Sequence, residues 1–147
     1  MQPCEDFLDF AAAALKRPQA RDRASAILSR WAAAWQGPRR NLEGTCSNHG
    51  AFLHFNQKIG DTWCHVFSFH ASRQEGLLLR GPDPDRGRKS HKLRSHKLDT
   101  EALDALFDAW AAHPEARPAG KAVEFDLDET PDEVWAACLE EALGLLR

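Results

Sequence analysis

The sequence predicts an α+β domain: a small, mostly antiparallel sheet of three or four strands with helices packed on one face, ordered α-α-β-β-(β)-α-β-α. Three observations carry this. Ala51–Arg80 reads as two or three strands joined by tight polar turns at Lys58–Asp61 and Ser72–Gly76. Four other stretches repeat apolar residues at three-and-four spacing, the mark of helices with one buried stripe. The strands gather mid-chain without βαβ alternation, which puts helices on one side of an antiparallel sheet rather than around a parallel one.

Each element has its own reason. Residues 4–17 align Phe7, Leu8, Ala11, Ala14 and Leu15 on one stripe, and Pro18 ends or bends that helix. A second helix, about Ala20 to Gln36, buries Ile27, Leu28, Trp31 and Trp35, with Gly37-Pro38 as its stop signal. Residues 39–48 read as a linker into the strands. In the middle strand, strict alternation puts Trp63, His65, Phe67 and Phe69 on one face and Cys64, Val66, Ser68 and His70 on the other. The three large aromatics make the first face the expected core floor. A third helix starts with Asp99 as N-cap, has a Leu98–Leu103 staple and buries Leu103, Leu106, Phe107 and Trp110. Residues 114–120 read as a polar connector. Lys121–Asp128 is a strand with Val123, Phe125 and Leu127 inward and Glu124, Asp126 and Asp128 outward. Thr130-Pro131-Asp132-Glu133 reads as a capping box opening a last helix that buries Val134, Trp135, Cys138, Leu139, Ala142 and Leu143.

A chain of 147 residues fits one domain, 1–147, and buries enough surface to fold without disulfides or metal. Cys4, Cys46, Cys64 and Cys138 lie far apart, as free thiols in a reducing compartment do. No stretch reaches transmembrane length, and Glu5, Asp6 and Asp9 precede the early apolar run with the wrong charge for a signal peptide. The expected compartment is the cytoplasm, with no membrane partner. The net charge of −3 conceals an asymmetry: residues 101–147 hold three basic against twelve acidic side chains. That imbalance speaks to partners rather than to fold.

The densest charge is Arg86–Leu98, which holds Arg86, Arg88, Lys89, Lys92, Arg94 and Lys97 with no acid and repeats Ser-His-Lys-Leu at 90–93 and 95–98. Such a segment attracts phosphate or an acidic protein surface. Its plain alternative is a solvated loop without a partner. A pI near 6.1 and the lack of an aromatic within 86–98 to stack a base favour protein over nucleic acid. The acidic C-terminal third suits docking to a basic partner, in the manner of an inhibitor or an immunity-type protein.

Chemistry has weaker footing. Cys46, His49 and Cys64, with His65 or His70, hold the residue types of a zinc shell. Cys64 and His65 are adjacent in a strand, however, so only one of them can ligate there. His49, His54, His65 and His70 form a cluster whose convergence in a cleft would favour an enzyme. Nucleophile-elbow, zinc-protease, phosphate-loop and dinucleotide motifs do not occur in the sequence. Phe125-Asp-Leu-Asp-Glu-Thr130 resembles the first motif of haloacid-dehalogenase-type phosphatases. That chemistry needs later catalytic strands of a parallel sheet, whereas the residues after Thr130 read as one helix.

The order of hairpin, helix, a strand reading VEFDLDETPDE and a terminal helix resembles small bacterial α+β proteins of the YjbR/MmcQ-like and YdhG-like kinds over about residues 51–147. The resemblance implies a role that in such families is mostly non-enzymatic or unknown, with DNA binding suggested for the first kind. The two N-terminal helices and the basic segment lie outside it. The expectation is therefore a protein without cofactors that binds a macromolecule, protein before nucleic acid, through Arg86, Arg88, Lys89, Lys92, Arg94 and Lys97 and an acidic C-terminal face. The alternative is a metal-binding or hydrolytic enzyme built on the His/Cys cluster, with Cys46, His49 and Cys64 as ligands.

Overall fold

Trp31 sits at the centre of the molecule, and the core is arranged around its ring. The computed structural model of the chain describes residues 18–47, 50–59, 61–72, 74–82, 101–120 and 122–146, with Phe7, Asp9 and Ala11. Among them Trp31 is 1% exposed and meets Phe55, Phe67, Phe69, Trp110 and Trp135 with ring centroids 5.1–6.3 Å apart, all in edge-on geometry. Edge-to-face contact sets the positive rim of one ring against the negative face of the next. Trp31 stands on α1 (Pro18–Ala34), which Gly37 ends at φ 133°.

The sheet has six strands: β1 (Arg40–Ser47), β2 (Gly50–Ile59), β3 (Thr62–Ser72), β4 (Gly76–Arg80), β5 (Arg117–Ala119) and β6 (Ala122–Asp126). Spatial order is β1-β2-β3-β4-β6-β5, antiparallel throughout. Helices α2 (Glu101–Ala111) and α3 (Asp132–Leu145) complete the described elements, giving the order α-β-β-β-β-α-β-β-α. This corrects the expected three or four strands and their order. The linker of the sequence reading is β1, whose polar residues suit an edge strand open to water, and the polar connector contains β5 at the opposite edge. Of the expected N-terminal helix, Phe7, Asp9 and Ala11 are helical, with Phe7 and Ala11 in the core, and its other positions fall outside the described residues.

A second correction concerns β3. Its register against β2 slips between Phe55 and Asn56: Phe55 pairs with Phe67, but Asn56 pairs with His65. Val66 is the extra residue of a β-bulge, and one extra residue moves everything beyond it to the opposite face. Phe67, Phe69 and Ala71 point into the core on one side of the bulge, and Cys64 and Val66 are buried on the other. Trp63 (39% exposed) and His65 are thereby on the outer face, not on the core floor.

The last helix differs in its cap. Its N-cap is Pro131, with no side-chain cap hydrogen bond, and the buried Thr130 hydroxyl has no hydrogen-bond partner among the described residues. Arg23 holds this corner instead. Its Nε donates to Asp132 Oδ1 at 2.8 Å, its Nη1 to the Leu127 carbonyl at 2.7 Å, and its Nη2 to the Thr130 carbonyl. Arg40 does the same at the other end of α3, donating to the carbonyl of Leu146 at 2.7 Å while its guanidinium lies 4.6 Å from the Trp35 ring centroid.

Candidate functional site

With the core aromatics and helices on one side, the pleat turns every second strand residue to the other. Paired positions across an antiparallel sheet share a face, so the register gives the outer surface directly. One row runs Asn41, Asn56, His65; the next Glu43, His54, Ser68, Arg80, Glu124, Arg117; a third Thr45, Phe52, His70, Leu78, Asp126. Rings stack along it. Phe52 lies 4.3 Å from His70 and 5.7 Å from His54, nearly parallel to both, and His54 lies 4.6 Å from His65.

At the β1 side Asn41, Leu42, Glu43, Asn56, Trp63 and His65 line a cleft of about 430 Å³. Asn56 is 5% exposed, and its hydrogen bonds fix its orientation. Its Nδ2 donates to Asn41 Oδ1 at 2.8 Å and to Glu43 Oε2 at 3.5 Å, so its Oδ1 is turned to accept from His65 Nδ1. A neutral imidazole with its proton on Nδ1 has its lone pair on Nε2. His65 is therefore held as a hydrogen-bond acceptor or general base, with the exposed Trp63 indole beside it. Val66 puts Cys64 on the inner face, so this cleft has an oriented base and no thiol.

At the other side of the outer face, Glu124 (side chain 12% exposed) sits between two guanidiniums. Arg80 Nε donates to it at 2.7 Å and Arg117 Nε at 2.9 Å, while Arg80 Nη2 also reaches Glu75 at 3.1 Å. Burying a carboxylate this far costs desolvation, which the two guanidiniums offset. His70 faces this network. Burial, reinforced by Arg80, lowers its pKa from the ordinary histidine value, with Glu75 and Glu124 opposing.

Beyond the last rung of β6 the acids emerge. Asp128, Glu129, Asp132 and Glu133 are all exposed in the turn and first turn of α3, with the Glu129 and Asp132 side chains 66% and 78% exposed. Arg23 pairs with Asp132 at 2.8 Å and Arg117 with Glu129 at 3.6 Å. Acids at a helix N-terminus are stabilised by the peptide dipoles.

The residues singled out by sequence fall as follows. Arg86, Arg88, Lys89, Lys92, Arg94 and Lys97, with His49, Asp99 and Leu98, lie outside the described residues. Cys46 is exposed and Cys64 buried; they stand opposite Ala51 and Gln57 of β2, six positions and roughly 20 Å apart at about 3.3 Å per residue, so the register does not bring them together. Of the His cluster, His54, His65 and His70 share the outer face. The Asp126–Thr130 motif sits on an antiparallel strand, where Asp126 accepts from the Asp128 backbone N–H at 2.8 Å, a turn contact. Asn41, Glu43 and Asn56 were missed, because polar residues in a linker and at a strand end carry no periodic signal; only the register assembles them.

Among the described residues no helix is long and apolar enough to cross a membrane. No family model, curated protein or solved structure matches the chain.

Proposed function

We propose that this protein is a non-enzymatic recognition module that docks a basic protein surface on the acidic corner formed by Asp128, Glu129, Asp132 and Glu133. The basic segment Arg86–Lys97 serves as a second, oppositely charged contact. The observation that carries the reading is the corner itself: four exposed carboxylates within six residues, held between the end of β6 and the start of α3. Groups held on fixed backbone present charge without an ordering cost on binding. Exposed charge of one sign steers association more than it deepens affinity. A protein is favoured over nucleic acid because the fixed, described charge is acidic and repels phosphate.

Retention on immobilised polylysine and on heparin tests this. The expected result is salt-sensitive retention on polylysine, at least tenfold weaker in the D128K/E129K/D132K/E133K variant with its circular dichroism unchanged. Equal retention of both proteins refutes the corner. Charge reversal at Lys89, Lys92 and Arg94 tests the second contact by the same measurement on an acidic matrix.

A second reading has one specific observation behind it, the His65 base oriented by Asn56 in the cleft. It makes the outer face a small-molecule or hydrolytic site in which His65 Nε2 accepts a proton from ligand or water. His65→Gln with loss of a measured ligand or hydrolytic activity favours this reading over docking at the corner.

A further inference from the structure

The joint between α2 and α3 holds a set of side chains that the recognition reading does not use. His113 follows the end of α2, and Cys138 and Glu141 stand three residues apart on one face of α3. A ring nitrogen of His113, the Cys138 Sγ and a Glu141 carboxylate oxygen all lie within 4.8 Å of one another. Two further contacts hold the joint in place. Trp110 Nε1 donates to the Cys138 carbonyl at 3.1 Å, and the His113 ring rests edge-on against Phe125 at 6.1 Å. His113 Nε2 and Glu141 Oε1 are 2.6 Å apart. A separate observation points to the same place. Glu115, two residues beyond His113, has a buried carboxylate oxygen with no hydrogen-bond partner among the described residues. A buried carboxylate oxygen left without a donor is a costly arrangement.

From these residues we infer a zinc(II) site, with His113, Cys138 and Glu141 as the protein ligands and the Glu115 carboxylate as a nearby charge. The donor chemistry selects the metal. Thiolate with imidazole suits zinc and not calcium or magnesium, which take oxygen shells. Bond lengths of about 2.0–2.3 Å in a tetrahedron separate ligand atoms by roughly 3.3–3.8 Å, so the present cluster needs movements of about 1 Å or less, with the His113–Glu141 contact opening. A divalent ion bound here takes the place of the Cys138 thiol proton and is partly neutralised by the Glu141 carboxylate. Cys138 is 0% exposed while His113 and Glu141 are partly exposed, so the ion would tie the end of α2 to α3 with its thiolate ligand buried. The inference is independent of the acidic corner.

The test uses the full reduced chain, with zinc(II) measured by equilibrium dialysis and elemental analysis and cobalt(II) as the optical probe. Expected are about one ion per chain, a thiolate-to-cobalt charge-transfer band, release of about one proton per ion at neutral pH, and a higher melting temperature with zinc. Cys138→Ala abolishes the charge-transfer band. His113→Gln and Glu141→Gln, at side chains that are partly exposed, keep the fold by circular dichroism and weaken binding tenfold or more. These two variants decide the matter if Cys138→Ala does not fold. Failure of the chain to retain stoichiometric zinc, or wild-type affinity in folded His113→Gln and Glu141→Gln, overturns the site.

Discussion

Replacing Asn56 by Ala tests both the packing of the outer face and the chemistry assigned to it. The side chain is 5% exposed, donates to Asn41 at 2.8 Å and to Glu43 at 3.5 Å, and accepts from His65. A net hydrogen bond contributes about 1 ± 0.5 kcal/mol, and the 3.5 Å contact is at the limit of what counts as one. His65, Glu43 and Asn41 are all exposed and recover water when released, so the cost is the lost net hydrogen bonding plus the small void. The expected cost is about 1–2 kcal/mol, or roughly 2–8 °C in melting temperature for a chain of this size. The backbone carbonyl of Asn56 still accepts from Trp35 Nε1 at 2.9 Å in the variant, so the core should be intact. Urea unfolding reads the stability, and histidine ring nitrogen shifts by NMR read the tautomer. In the parent chain neutral His65 carries its proton on Nδ1; in Asn56→Ala the ring relaxes toward the mixture of a free imidazole. A loss below about 0.5 kcal/mol with an unaltered His65 spectrum refutes the reasoning, since a surface substitution away from special contacts does no more than that.

Three further outcomes follow from the same geometry. Trp31→Ala removes the ring that five aromatics share and should cost about 3–5 kcal/mol, whereas Trp63→Ala, at a side chain 39% exposed, should cost well under 1, both read by urea unfolding. Gly81 (φ +125°) and Gly37 (φ +133°) both adopt backbone that other residues resist, but a Cβ at Gly81 would lie 2.8 Å from Phe67 Cβ while one at Gly37 meets nothing within 4 Å. Gly81→Ala should therefore exceed Gly37→Ala in cost by about 1 kcal/mol or more, and equal costs would show that φ alone decides. His70 has its pKa lowered chiefly by burial, so the unfolded chain binds more protons below the ordinary value of 6.5 and stability falls as pH drops through 6.5 toward the folded value. His70→Asn should flatten that part of the pH–stability curve; an unchanged slope counts against the assignment.

Periodicity made the three later helices and the central strands legible, because Trp31, Trp35, Trp110 and Trp135 all fall on buried stripes as read. The strand expected over Lys121–Asp128 is found at Ala122–Asp126 with Val123 and Phe125 buried, and the chain turns from Leu127 on. What alternation did not reveal was pairing. Arg40–Ser47 has the polar composition of a linker and becomes a strand because β2 offers it a full ladder, and Arg117–Ala119 pairs with β6 over three residues. The bulge at Val66 is the sharper case. A window read residue by residue sees Trp63, His65, Phe67 and Phe69 in phase, and only the mismatch of two strands brings a slip. The candidate cleft depended on that slip, since it carries His65 and Trp63 to the face where Asn41 and Glu43 stand.

The same register explains why charge is silent in one place and available in another. Glu124 and Asp126 are on rungs of the sheet, where Arg80 and Arg117 lie on the neighbouring strands and neutralise them. Asp128 and Glu129 continue the same chain past the last rung, where no strand of the described residues stands beside them to supply a matching row of cations. Arg117 is the hinge between the two regimes, holding Glu124 at 2.9 Å and reaching Glu129 only at 3.6 Å. Its charge is mostly committed to Glu124, and a solvent-exposed pair at the longer distance is weak and screened by salt. Sequence composition alone treats these acids as one block. The end of the ladder divides them, and the outer part is what a partner can meet.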